Sequence, residues 1–218
     1  MLFLAFAMFE EFLNNTGYIV KVLAISNYAE PFNFTFAPLF YLSLRSTLKP
    51  NGKEGRWHHF VPAMIWVLYM IFYFVQPNDL IYNSYVESKH LDGSYLHVPM
   101  IINEDLVGVR NYVNELTGLH FVLYIILAIR LIKSYVKNES MKFFTSNELK
   151  ITSVRSTFYH FILISIIFTF VKVYFGRDLG DMFISGYIAL MIVSILLQVL
   201  FNSDYFNEIH SVLELPGY

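Results

Sequence analysis

The feature that most constrains this chain is a series of apolar stretches too long and too poor in charge for a water-exposed fold. A helix needs about 20 mostly apolar residues to cross the hydrocarbon core of a bilayer. Residues 60–75 with their flanks, 119–135 and 182–201 satisfy that requirement, and 158–175 is interrupted only by His160 and Lys172. The opening stretch, 2–25, is apolar but holds Glu10, Glu11, Asn14 and Asn15 in its middle. Residues 31–48 are free of charge only as far as Arg45 and contain Pro38. Proline is tolerated in a membrane helix where neighbours cover the carbonyl it frees. The expected fold is therefore all-α: a polytopic transmembrane helical bundle over residues 1–202, with about six spans near 2–25, 31–48, 60–75, 119–135, 158–175 and 182–201. Composition agrees, since only 15% of the residues are charged, against about 25% in soluble domains. The N-terminus lacks the basic region, short apolar core and cleavage site of a signal peptide in series, so 2–25 reads as a span.

Lys and Arg collect in cytoplasmic loops, and this bias orients the chain. Arg45, Lys49, Lys53 and Arg56 lie between the second and third spans, and Arg130, Lys133, Lys137, Lys142, Lys150 and Arg155 between the fourth and fifth. The opposite side holds mainly acidic residues. With six spans, both termini are expected in the cytoplasm. A long outer loop, 76–118, carries turn signals at Asn78-Asp79, Asp92-Gly93-Ser94 and Val98-Pro99. Within it, the spacing of Leu106, Val109, Val113 and Leu116 predicts a short helix over 104–116, lying on the membrane or over the mouth of the bundle. After the last span, Asn202, Ser203 and Asp204 offer helix caps. Phe206, Ile209, Val212 and Leu213 give residues 203–218 the pattern of a cytoplasmic amphipathic tail ending at Pro216-Gly217.

Little in the sequence points to catalysis. It has no cysteine, no Gly-rich phosphate loop, no His-Glu-x-x-His and no Gly-x-Ser-x-Gly. The expected protein is not an enzyme, and it needs no cofactor. Its formal net charge of −2 supplies no basic field for nucleic acid. His58 and His59 are adjacent, which suits interfacial anchoring better than a shared metal. His90 and His97 in the outer loop read as solvated residues, so no metal ligands are assigned. Lys172 is expected to snorkel outward, and His160 to pack near the cytoplasmic interface. Trp66, Tyr69, Tyr73, Tyr82, Tyr85 and Tyr174 suit an aromatic belt.

The carboxylates of the first span are more informative. A charge at the centre of a span costs roughly 2.5–3.5 kcal/mol on insertion scales, so it must face the bundle interior or a wet cavity. Adjacent helical positions point about 100° apart, so one of Glu10 and Glu11 is expected to face the centre. Glu11, Asn14, Asn15 and Tyr18 recur at i, i+3, i+4 and i+7 and form a polar seam. Such a seam serves either hydrogen bonding between helices or a pocket open to the outer face, completed by Asn33, Tyr41 or His120.

The run from Pro31 to Ser46 contains Ala37-Pro38-Leu39-Phe40-Tyr41-Leu42 and then Arg45-Ser46, followed by Pro50 and by His59-Phe60-Val61-Pro62. Together with Glu11 to Tyr18, this resembles the membrane-embedded N-terminal region of AraC-type transcriptional regulators frequent in Bacteroidota. In that family a multi-span bundle precedes a cytoplasmic helix-turn-helix domain. The resemblance implies a sensory input module of a bacterial inner membrane, binding an outer-face signal and relaying it to a cytoplasmic effector. These 218 residues contain no recognition helix, so no direct nucleic-acid contact is expected. The implied partners are the lipid bilayer, a small-molecule or protein signal, and a cytoplasmic effector or membrane partner subunit. The alternatives are an accessory subunit of a membrane complex and a small transporter. A transporter would favour repeated halves, and no internal repeat is found.

Overall fold

A computed structural model describes residues 2–50, 57–89, 95–140, 142–175 and 179–201. The expected amphipathic tail, 203–218, lies outside the described residues, as does His90. The architecture is all-α, with no strand among the described residues. Its helices are α1 (Leu2–Thr16), α2 (Asn33–Leu48), α3 (Val61–Phe74), α4 (Asn78–Ser88), α5 (Val113–Asn138), α6 (Leu149–Tyr174) and α7 (Asp181–Phe201). Among the described residues, three helical segments are long and apolar enough to cross a membrane: Trp57–Phe74, Arg110–Asn138 and Lys150–Tyr174. At 1.5 Å per residue, the 26 residues of α5 and of α6 each span about 39 Å. The 15 of α1 and 16 of α2 reach only about 22–24 Å.

Those two short helices differ in their surroundings. Helix α2 is the interior member of the bundle, packed against α5 and α6. Phe34, Ala37, Pro38, Leu44 and Leu48 are buried on it. Pro38 removes one backbone bond inside the helix, yet its burial leaves the site covered by neighbours. The main core joins Ala37 and Leu44 of α2 to Phe121, Ala128 and Leu131 of α5 and Phe161 and Ile164 of α6. Phe40 and Phe161 stack there with ring centroids 5.1 Å apart. A second cluster holds α3 through Trp66, Met70 and Tyr73 against Phe34, and a third ties Leu13 and Ile19 to Tyr85 and Val86 of α4. Large apolar side chains elsewhere point outward: Leu68 is 64% exposed, Leu119 67%, Val173 74% and Leu190 70%. Apolar surface on all sides of a helical bundle is what a hydrocarbon solvent accepts and water does not.

Several local expectations are corrected. The first helix stops at Thr16 because Gly17 adopts φ 73°, the left-handed conformation of a helix-ending glycine. The chain then proceeds through short 3-10 turns at Tyr18–Lys21 and Leu23–Ile25, where an uninterrupted span over 2–25 was expected. The helix expected over 104–116 does not start at Glu104. The Asn103 side chain accepts from the Asp105 N–H, Gly108 sits at φ 72°, and α5 begins only at Val113. The segment after α3 instead forms α4 at Asn78–Ser88, which its polar sequence concealed. His59 is buried and not an interfacial anchor, with Nδ1 2.9 Å from the Tyr124 hydroxyl. Trp66, Tyr73 and Tyr85 are likewise buried and not in a belt, whereas Tyr174 is 73% exposed. His160 pairs with the Tyr187 hydroxyl at 2.8 Å, linking α6 to α7.

Candidate functional site

Polar residues concentrate at one end of the bundle. There the C-terminal ends of α1, α3 and α6 meet the N-terminal ends of α2, α5 and α7. The basic residues of 45–49 and 130–155 lie toward the other end, where α2 and α5 finish and α6 begins.

Arg110, just before α5, organises this polar end. Its Nε and Nη2 both donate to Glu30 Oε2 at 3.3 Å, and Nη1 donates to Glu104 at 3.5 Å. The guanidinium lies over the Tyr73 ring at 4.0 Å from its centroid, a cation–π geometry. Glu30 Oε1 accepts from the Trp66 indole at 2.9 Å, so α3 is bound to the same node. The Arg110 backbone N–H and the Tyr69 hydroxyl both donate to Asp105. The side chains of Arg110 and Glu30 are only 15% and 12% exposed. A charge pair so placed holds together only with further polar contacts, and Trp66 and Tyr73 supply them.

Glu10 is a second node. It is 8% exposed, and its two carboxylate oxygens accept from the backbone N–H groups of Asn27 at 2.5 Å and Ala29 at 2.6 Å. Those donors are available because Asn27 takes φ 60° and turns the chain back toward α1. The Asn27 side chain then donates to the Tyr73 hydroxyl at 2.9 Å and connects both nodes. Glu11 turns differently, accepting from Asn15 at 2.8 Å and lying 3.9 Å from Lys89. On the far wall, Lys172 of α6 reaches Asp181 of α7 at 2.7 Å, with only 10% of its side chain exposed. It does not snorkel outward. Beside α1, the Tyr85 hydroxyl reaches the Asn14 carbonyl at 3.4 Å, and burial raises its phenol above the ordinary value.

These groups surround a cavity of about 430 Å³, bounded by α1, α2, α4, α5, α6 and α7. That is a size suited to small molecules. The polar part of its wall includes Glu10, Glu11, Glu30, Arg110, Lys172 and Asp181. Its apolar part is built from Phe36, Phe40, Phe121, Phe168, Ile188 and Met191. Among the described residues, no group of three or more His, Asp or Glu is arranged to hold a metal ion.

The structure brings Glu11, Asn14 and Asn33 of the expected pocket to this cavity. Both Glu10 and Glu11 border it, where only one was expected to face inward. Asn15 lies beside Glu11 on an exposed surface, and Tyr18 is 55% exposed with Lys21 over its ring. Tyr41 and His120 are elsewhere, in an aromatic cluster with His59 and Tyr124, where α2 and α5 meet the 3-10 turn Trp57–Phe60. Neither ring nitrogen of His120 has a hydrogen-bond partner among the described residues. Glu30, Arg110, Lys172 and Asp181 had no expected role at the site. Arg110 and Glu30 are 80 positions apart in the chain, and no local pattern announces their pairing. No family model matches this chain, and no curated protein or solved structure is significantly similar to it.

Proposed function

We propose that this chain is a multi-pass sensory input module of a bacterial inner membrane. It has six spans and cytoplasmic termini, and the polar end of the bundle faces outward. The observation that supports this most is the cavity at the polar end, whose wall is shared by six helices. An occupant there would lie among residues of α1, α2, α4, α5, α6 and α7. It would favour whichever helix arrangement it fits better, and that differential fit is what a signal-driven shift requires. The Lys and Arg asymmetry supports the orientation, because the cavity lies away from the basic end. The relation to AraC-type regulators rests on the sequence resemblance. The effector would be a cytoplasmic transcriptional domain, supplied by another segment or chain.

The test is native mass spectrometry of the full chain released from nanodiscs, with two single variants beside it. Ser185 lines the cavity, whereas Leu190 on the same helix is 70% exposed outside it. A bound small molecule should be present in the native chain and in Leu190→Trp, and absent in Ser185→Trp. Equal occupancy in both variants, or none in the native chain, would count against a ligand-binding module and favour an accessory subunit.

A further inference from the structure

We infer that the outward side of α5 is a docking site for an anionic phospholipid, its phosphate held by Arg130 and Lys133 and an acyl chain laid along Ile126, Leu123 and Leu119. The site needs α5 to cross a bilayer but makes no use of the cavity, so its failure leaves the ligand-site reading untouched. Rotation of about 100° per residue puts Leu119, Leu123, Ile126, Arg130, Lys133 and Lys137 on one stripe, within about 80° of one another. All six are exposed. The core residues of the same helix, Phe121, Tyr124, Ala128 and Leu131, lie on the opposite side.

Depth sets the first requirement. Glu115 is exposed at the head of the same stripe, and residues 116–129 between it and Arg130 carry no Asp, Glu, Lys or Arg. At 1.5 Å per residue, Glu115 and Arg130 are about 22 Å apart along the axis, whereas the hydrocarbon core is about 30 Å thick. With Glu115 at the outer boundary, the Arg130 backbone lies about 8 Å inside the inner one, on a face that offers only hydrocarbon. A guanidinium so placed extends along the helix toward the headgroups and takes a phosphate through paired N–H donors. Lys133 and Lys137, about 27 and 33 Å from Glu115, bracket that phosphate layer.

Charge supplies the second. Among the described residues, no hydrogen bond, ion pair or ring contact engages Arg130, Lys133 or Lys137. Neighbouring cations are occupied: Arg155 donates to the Ser146 carbonyl at 2.6 Å, and Lys150 lies over the Tyr135 ring. Glu139, the acid nearest in sequence, lies about 160° round the axis from Lys137. Three such cations at the foot of an apolar strip complement a headgroup of net negative charge, and each is worth about fivefold in affinity for an anionic surface. A zwitterionic headgroup would bring its own ammonium against them. An acidic soluble protein would meet Lys137 but not Arg130, at a depth that lipid reaches.

The experiment is fluorescence quenching of the full chain in mixed vesicles of phosphatidylcholine and phosphatidylglycerol, with one lipid or the other brominated on its acyl chains. Ile126→Trp, one turn from Arg130, is the reporter, and Leu123→Trp serves if the first disturbs the fold. The signal of the parent chain, which has two tryptophans, is subtracted. Leu190→Trp reports away from the site, on an exposed face of α7, whose last turn holds no basic residue. Phosphatidylglycerol should be preferred at Ile126→Trp by at least about tenfold, and at Leu190→Trp by less than about twofold. Adding Arg130→Gln and Lys133→Gln together should lower the preference at Ile126→Trp by at least about fivefold. Equal quenching by the two lipids at Ile126→Trp, or a preference that survives the loss of both cations, would overturn the docking site. A matching preference at Leu190→Trp would assign the effect to the membrane surface as a whole and overturn it too. If neither lipid quenches Ile126→Trp or Leu123→Trp, protein covers this face and the lipid assignment falls.

Discussion

Replacing Arg110 tests whether the polar end is held by a buried charge network. Arg110→Leu keeps the stem's apolar packing and removes the guanidinium, leaving Glu30 only 12% exposed beside an apolar residue. Breaking a buried pair by removing one partner costs about 3–5 kcal/mol. Two details place the effect within that range. The Trp66 indole stays on Glu30 at 2.9 Å and softens the loss, while the stacking of the guanidinium on Tyr73 adds about 0.5–2 kcal/mol to it. Glu104, with 32% of its side chain exposed, contributes less than about 1 kcal/mol. We expect a destabilisation of about 3–4 kcal/mol, read by equilibrium unfolding in mixed micelles of increasing SDS fraction. The same measurement on Glu30→Gln and on the double variant completes a cycle. Because the neutral amide introduced by Glu30→Gln needs no counter-charge, the double variant should recover about 2–3 kcal/mol of the summed single losses. A coupling energy below about 0.5 kcal/mol would refute the reasoning, because it would show that Arg110 and Glu30 do not depend on one another.

Further outcomes follow from single contacts. Glu10→Leu removes two charge-assisted bonds to the Asn27–Ala29 turn and should cost about 3–5 kcal/mol in the same unfolding assay. Glu11→Leu loses the bond from Asn15 and the 3.9 Å pair with Lys89 but no backbone N–H donor, and it should cost less than Glu10→Leu; equal losses would contradict the assignment of the anchor to Glu10. His120→Phe should stabilise the chain by about 1–3 kcal/mol, since it replaces a buried ring lacking hydrogen-bond partners among the described residues and keeps the aromatic contacts to Phe34 and Tyr124. A loss of stability there would show that the imidazole is satisfied. Gly180→Ala places a methyl 2.5 Å from Val171 Cγ1 and 2.9 Å from the Phe175 ring. It should lower stability by about 1–3 kcal/mol through overpacking of the α6–α7 turn, whereas an unchanged midpoint would mean the turn opens freely.

The helices that were legible in the sequence are those whose apolar runs are bounded by charge. Helices α5 and α6 cover the expected stretches 119–135 and, as far as Tyr174, 158–175, and begin earlier than expected, at Val113 and Leu149. Helix α4 was hidden because Asn78–Ser88 is polar and owes its burial to Ile81, Tyr85 and Val86 alone. The seam of Glu11, Asn14, Asn15 and Tyr18 assumed a helix running through Gly17, and at φ 73° the helix ends one residue earlier. Tyr18 therefore leaves the stripe. The expected pocket also merged two faces of the same helices. On α2, Asn33, Phe36 and Phe40 border the cavity, while Phe34 and Tyr41 face α3 and the histidine cluster. On α5, Thr117 and Phe121 border it, while His120 and Tyr124 turn away. Periodicity separates such faces but does not say which neighbour each one meets. The expected seam took Glu11 and left out Glu10, because the donors to Glu10 include the backbone N–H groups of Asn27 and Ala29, which no residue type signals.

The central claim, a membrane bundle whose polar cavity end faces outward, is tested most directly by the sidedness of its two ends. The chain has no cysteine, so single cysteines report without background. One replaces Ser94, which lies between α4 and α5 in the sequence, and the other Ser146, between α5 and α6. Intact cells are treated with a membrane-impermeant maleimide. Ser94→Cys should be labelled before lysis and Ser146→Cys only after it. Equal labelling of both positions in intact cells, or labelling of Ser146→Cys alone, would contradict the orientation and place the cavity on the wrong side of the membrane.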